Sequence, residues 1–203
     1  MIRIGLPKGR MAPESERFCD ALGIQIRPGI LRYRTAVEGL DISILLLKAP
    51  DVARLLRRNL LELGLTGDEW LMETGTPPDH RCFETRSYAA SLCLLTAEGD
   101  PRPPWRLRSV VTPYPNLARR LLSGAAPDAE IMAVSGSSEA LVPDIADASF
   151  DVVETGTSAI LNSLAVRRCF VNVTTHLARS EACNPAIVAP VIRLLAGARE
   201  AVR

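Results

Sequence analysis

The feature that most constrains this chain is a recurring unit: a short apolar run, a turn of Gly, Pro, Thr or Asp, then a helix-forming stretch. Ile2 to Leu6 alternates as a strand, Pro7 to Arg10 turns, and Ala12 to Leu22 reads as a helix with Pro13 in its first turn and Gly23 as its C-cap. Leu40 to Leu47 is a second strand, and a helix with Asp51 as its N-cap follows. Leu61 to Gly67 is a third strand, with Asp68 placed to cap the next helix. Ser91 to Thr96, Val110 to Thr112, Ile131 to Ser135, Asp151 to Glu154 and Phe170 to Thr174 supply further strands. Ala97 to Trp105 is a Pro-rich exposed loop. The turn "PYPN" enters a helix that stops near Gly124, "SSEALVPDIADA" is helix-like up to Pro143, and the tail is helical from Pro190. Strand–turn–helix repeated in this way predicts an α/β fold with a largely parallel sheet. No fixed-period repeat is present.

Composition removes several function classes. The 203 residues fit one large domain or two small ones. A net charge of +1 gives no field to recruit nucleic acid or an acidic membrane, and 4% aromatics provide no base-stacking platform. The five cysteines, Cys19, Cys82, Cys93, Cys169 and Cys183, contain no C-x-x-C pair, and an odd number suits packing in a reduced compartment better than a disulfide framework. No leader-like segment or spanning apolar run is found, so a cytoplasmic protein is expected.

The turns at 7–10, 48–51, 66–68, 112–116, 135–138 and 154–158 all follow strands. In an open α/β sheet, ligands bind beyond the carboxyl ends of the strands. The stretch Glu154-Thr155-Gly156-Thr157-Ser158 has no cation, yet backbone N–H groups at a helix start, a glycine permitting close approach and three hydroxyls can bind a phosphate. Asp151 and Glu154 can accept hydrogen bonds from ribose hydroxyls, which suits a sugar phosphate. An ordinary N-cap by Thr155 or Thr157 is the alternative. Lys8 and Arg10 flank Gly9 as a phosphate clamp or, alternatively, a solvated basic turn. Lys8 and Lys48 are the only lysines in an arginine-rich chain. Neither a G-x-x-x-x-G-K-[ST] nor a G-x-G-x-x-G loop is present. His80 and His176 lie in no metal-ligand spacing.

In order, "IRIGLPKGRM", "LELGLTGDEWLME", "VVTPYPNLARRLL", "GSSEALVPDIAD" and "DVVETGTSAILNSL" resemble the ATP phosphoribosyltransferase family, which catalyses the first step of histidine biosynthesis. The resemblance runs from Ile2 to about Arg179. It implies two α/β domains resembling type II periplasmic binding proteins, with the active site in the interdomain cleft. Domain I would take 1–88 plus 178–203, and domain II 89–177. It also implies the short form without a C-terminal regulatory domain, working as a homodimer with a separate regulatory subunit similar to histidyl-tRNA synthetase. The implied substrates are ATP and phosphoribosyl pyrophosphate, with Mg²⁺ carried on the latter. Asp151, Glu154, Thr155, Gly156, Thr157 and Ser158 would hold the phosphoribosyl donor. Lys8, Gly9, Arg10, Lys48, Thr66 and Tyr114 would face ATP or pyrophosphate. No dedicated acid or base is implied.

The departures are specific. The family's F-G-x-C-R is "YAASL" at Tyr88 to Leu92, T-K-Y-P-N is "TPYPN", D-L-G-I is "ELGL" and G-S-V-E is "GSSE". The donor stretch is intact by comparison. These changes leave open a different purine or heterocycle as acceptor, a specialised pathway such as purine-like nucleoside antibiotics, and a non-catalytic nucleotide-binding or regulatory homologue.

Overall fold

The structure is a computed structural model describing residues 1–37 and 39–193. Its strands are β1 (Ile2–Pro7), β2 (Arg32–Val37), β3 (Leu40–Leu47), β4 (Leu63–Gly67), β5 (Arg81–Ala97), β6 (Ser109–Thr112), β7 (Glu130–Ala133), β8 (Ala148–Val153) and β9 (Leu164–Arg179). Its α-helices are α1 (Ala12–Ala21), α2 (Ala49–Arg57), α3 (Asp68–Glu73), α4 (Pro115–Leu121) and α5 (Thr157–Leu161), and residues 188–193 are also helical. The chain divides into two compact units, Met1–Ser87 with Thr175–Arg203, and Tyr88–Thr174. The long strands β5 and β9 contribute one segment to each unit.

In the first unit the strand order is β2-β3-β1-β4-β9. β1 runs parallel to β3 and β4, while β2 and β9 are antiparallel to their neighbours. Period-two alternation puts Ile2, Ile4, Leu6, Ile42, Ile44 and Leu46 on one face, where Phe18, Cys19 and Leu22 of the α1 segment cover them. The opposite face takes α2 through Val52, Ala53 and Leu56. That contact depends on glycine: a Cβ on Gly64 would stand 2.5 Å from Val52 Cγ1 and 3.0 Å from Leu56 Cδ1.

In the second unit β6 is parallel to both β7 and β8, and β5 is antiparallel to β8 with Cys93 opposite Asp151. Cys93, Leu95, Val111, Ala146, Ala159 and Leu164 form a core cluster that reaches the underside of α5. In each unit the parallel strands end together. The turns after β1, β3 and β4 therefore share one edge of the first unit, and those after β6, β7 and β8 share one edge of the second.

The sequence expectations need several corrections. The sheet is mixed rather than largely parallel. β2, unassigned from sequence, alternates between exposed and half-buried residues, so its arginines mask the pattern. It returns along β3 through a turn at Gly39. α2 begins at Ala49, with Lys48 at the N-cap position and no side-chain cap, so Asp51 lies in its first turn, where Pro50 is also tolerated. Gly67 rather than Asp68 occupies the cap of α3. "SSEALVPDIADA" makes only a 3-10 turn over Ser138–Leu141, because Pro143 cannot supply the amide a longer helix needs. β8 starts at Ala148 and β5 extends over 17 residues. The helical tail begins at 188, and its end lies outside the described residues.

The cysteines divide. Cys93 and Cys169 form a disulfide between β5 and β9, contrary to the expectation of packing alone. Spacing could not reveal it, because the partners are 76 residues apart and meet only through the fold. Cys19, Cys82 and Cys183 are free thiols. Burial pushes the Cys19 and Cys183 thiols up to about 11, so these two are packing groups rather than nucleophiles.

Candidate functional site

The first unit gathers Lys8, Gly9, Arg10, Lys48 and Thr66 at the carboxyl ends of β1, β3 and β4. The Lys8 amide donates to the Leu47 carbonyl at 2.7 Å, which ties the turn after β1 to the end of β3. Lys8, Arg10 and Lys48 are exposed. Gly9 has φ +79° with nothing within 4 Å of a notional Cβ, so the turn requires a left-handed residue and leaves the space above it open. Thr66 differs from the others. It is fully buried, and its hydroxyl donates to the Ala49 carbonyl at 3.1 Å, so its side chain secures the start of α2.

Around these turns the structure places buried acids that sequence reading does not assign to the site, Asp68 being read there only as a helix cap. Asp68 Oδ1 lies 2.9 Å from His176 Nδ1 and 3.2 Å from Arg81 Nε. Glu14 reaches the hydroxyls of Thr85 and Thr175 at 3.5 Å. The Glu69 carboxylate folds back over Gly67, where a Cβ would meet it at 2.2 Å. The signal available in sequence was an acid in, or within four residues of, a strand-ending turn. The basic and hydroxyl partners come from β5 and β9, which only the fold supplies.

The second unit brings together Asp151, Glu154, Thr155, Gly156, Thr157 and Ser158. β8 leads into the loop, and Gly156, at φ +75°, is the N-cap of α5. Gly156 at the N-cap has no side chain to cap α5, while Thr155 just before it accepts a helix-start amide, so the ordinary capping alternative stands beside the anion reading. Thr155 Oγ1 and Thr157 Oγ1 lie 2.9 Å apart, and the Thr157 amide points at Thr155 Oγ1 at 3.4 Å. Glu154, Thr155, Thr157 and Ser158 are exposed. α5 has only five residues, so a macrodipole adds little. What the loop offers an anion is amides at a helix start, threonine hydroxyls and the open space above Gly156. Asp151 sits one layer below, its Oδ1 accepting the Val152 amide at 2.7 Å. Ser158 donates to Glu139 Oε1 at 3.1 Å, which joins the turn after β7 to this loop. Tyr114, at the N-cap of α4, is buried at 3% exposure. Its amide is held by Thr112 Oγ1, which itself donates to the Phe150 carbonyl at 2.6 Å.

Comparison with known proteins bears on this arrangement. The family model described as HisG, ATP phosphoribosyltransferase, matches residues 48–197. The chain belongs to the ATP phosphoribosyltransferase family. An ATP phosphoribosyltransferase of Lacticaseibacillus paracasei is 31% identical over 183 residues, covering 87% of this chain and 84% of that protein. The Thermotoga maritima ATP phosphoribosyl transferase (HisG:HisZ) complex contains a chain that superposes with TM-score 0.80 at 20% identity, covering 98% of this chain and 97% of that one. The ancestral amino acid-binding protein AncCDT-1 shares the fold with TM-score 0.57 at 13% identity, covering 98% of this chain and 89% of that one. The chain thus has the α/β architecture of this family and of type II periplasmic binding proteins.

Prominent ion-pair clamps lie at the amino ends of the parallel strands, away from the candidate turns. Arg3 grips Glu62 through Nη2 at 2.6 Å and Nε at 3.1 Å. Hydrogen bonding to Arg3 holds the Glu62 carboxyl below its usual range. Arg102 bridges Asp100 at 2.8 Å and Asp147 at 2.6 Å, and Asp147 Oδ2 also accepts the Arg108 amide at 2.6 Å. The Arg102 guanidinium draws Asp100 down. Burial alone would raise Asp147, but the Arg108 amide and Arg102 outweigh it and leave it lowered. No helix among the described residues is long and apolar enough to cross a membrane.

Proposed function

We propose that this chain transfers the phosphoribosyl group of phosphoribosyl pyrophosphate to N1 of the adenine of ATP. The observation that carries the residue assignment is the loop 154–158: a left-handed glycine, exposed threonine hydroxyls and helix-start amides above a fixed carboxylate, within the span that matches the family. The loop receives the donor's 5-phosphate, and Asp151 and Glu154 accept hydrogen bonds from its ribose hydroxyls. In the first unit, Lys8, Gly9, Arg10 and Lys48 meet the pyrophosphate or the triphosphate of ATP. Thr66, buried, serves by securing the start of α2, and Tyr114, buried at the start of α4, is held in place by Thr112.

The reaction forms a bond between adenine N1 and ribose C1 and breaks the bond from C1 to pyrophosphate, with inversion. Charge builds on the departing pyrophosphate and on an oxocarbenium-like ribose. The protein acts by positioning two anionic substrates and stabilising the leaving group. The N1 lone pair is itself the nucleophile, so no side chain needs to remove a proton before attack. Mg²⁺ enters with the pyrophosphate, since that ion favours phosphate and water oxygens. A homodimer in the cytoplasm, joined by a regulatory subunit, is the assembly proposed; the Thermotoga neighbour is itself named as a HisG:HisZ complex. The test is to incubate the protein with phosphoribosyl pyrophosphate, Mg²⁺ and a panel of nucleotides and bases, with and without a regulatory subunit. Pyrophosphate release with ATP supports the proposal. Release only with another acceptor, or binding without release in every mixture, overturns it.

A further inference from the structure

Beneath the donor loop lies a pair of buried hydroxyls that no assignment above uses. Ser138 and Ser149 are both fully buried. Their Oγ atoms lie 2.7 Å apart, and Ser138 Oγ also contacts Asp151 Oδ2 at 2.5 Å. The direction of these bonds follows from chemistry. An ionised carboxylate only accepts, and a serine hydroxyl has one proton. Ser138 therefore gives its proton to Asp151, and Ser149 must donate to Ser138. The result is a directed relay, Ser149 to Ser138 to Asp151. With the Val152 amide on Oδ1, it fixes both carboxylate oxygens and hence the plane of the group.

The backbone shows that the relay is built in. Ser138 opens the 3-10 turn that follows Gly136 and Ser137, both at positive φ, and its neighbour Glu139 accepts the Ser158 hydroxyl. The turn after β7 thus holds the donor stretch at two points, Asp151 and Ser158. Ser138 is also one of the departures noted above, since the resembling motif G-S-V-E has Val at this position. A valine there would leave Asp151 Oδ2 without this donor.

We propose that Ser138, backed by Ser149, is a positioning residue that orients the Asp151 carboxylate toward the ribose hydroxyls of the donor. The proposal rests on the reading of Asp151 as a donor-binding residue. The oriented carboxylate loses less freedom on binding, so the effect falls on the donor and not on ATP.

The experiment is a double-mutant cycle with the intact chain. Affinity for phosphoribosyl pyrophosphate, affinity for ATP and melting temperature are measured for wild type, Ser138→Ala, Ser149→Ala, Asp151→Ala and the Ser138→Ala/Asp151→Ala double variant. Ser138→Ala is expected to weaken the donor about tenfold, the scale of one hydrogen bond to a charged group, with ATP affinity unchanged. Ser149→Ala, which leaves the bond to Asp151 in place, is expected to lower the melting temperature similarly but weaken the donor only about two- to threefold. In the Asp151→Ala background, Ser138→Ala should weaken the donor no further. Additive losses, or donor losses that track melting temperature in both serine variants, overturn the proposal. Normal donor affinity in Ser138→Ala with weak affinity in Asp151→Ala overturns the relay alone. Normal affinity in Asp151→Ala overturns the donor reading, and the relay's role with it.

Discussion

Gly156 shows how one residue connects backbone geometry to ligand chemistry. Its φ of +75° is disfavoured for any residue with a Cβ, while the space where that Cβ would stand is open. The requirement for glycine is thus conformational and not one of crowding. Gly156→Val should strain the loop by about 1–2 kcal/mol and weaken phosphoribosyl pyrophosphate roughly tenfold or more while sparing ATP. Titration calorimetry with each substrate measures this, and a folded variant with unchanged donor affinity would contradict the placement of the phosphate. At this scale the sequence was informative where chemistry is local. Hydroxyls, glycine and acids within eight residues marked out this stretch, and the structure gathers them in the loop between β8 and α5. Thr66 and Tyr114 were visible as motif positions, but their burial was not, because it depends on α2 packing over Gly64 and on Thr112 bonding to β8. Ser138 was masked for the same reason. Its partners, Ser149 and Asp151, stand on another strand.

At the level of elements, apolar runs were legible as strands whatever their burial, β7 included, while the arginine-rich β2 was not. β3, with "LDISILLL", declares itself by composition; β2, with "RYRTAV", does not. β5 shows only its apolar second half, Ser91 to Thr96, because its first half carries Arg81 and Thr85 toward polar partners. The disulfide between β5 and β9 is likewise a property of pairing. It closes a loop of 76 residues, so the loop-entropy account assigns it an order of 4 kcal/mol. Cys169→Ser should lower the melting temperature by several degrees, and a dithiol reductant should do the same to wild type but not to the variant. Five titratable thiols in the oxidised native protein would contradict this pairing.

The Arg102 clamp makes a second prediction for elements, one of pH. Asp100 and Asp147 are lowered in the folded chain, so their contribution is present above the unfolded carboxylate value and is lost as pH falls through the folded values. That places the loss below about pH 4. Arg102 is 41% exposed, so solvent screening keeps the effect modest. Arg102→Gln should lower the melting temperature at pH 7 and flatten the acid limb of its pH profile. An unchanged slope below pH 4 would show that the clamp does not carry the acid sensitivity.

The molecule as a whole is two α/β units, each with its parallel strands ending along one edge, where the candidate residues collect, and its salt-bridged clamps at the amino ends. The fold class was readable because strand–turn–helix recurs and because the quoted motifs occur in family order. The mixed character of the sheet was not, since antiparallel β5 and β9 owe their direction to long-range connections. The drifted stretches, "YAASL" and "TPYPN" among them, leave the acceptor as the most consequential property of the whole protein. The direct measurement is NMR of the product made from phosphoribosyl pyrophosphate carrying ¹³C at ribose C1 and ATP carrying ¹⁵N at adenine N1. The account predicts a one-bond coupling between the two labels, appearing as pyrophosphate is released. A product in which C1 is bonded to any other atom, or ATP recovered unchanged while the donor is consumed, would contradict it.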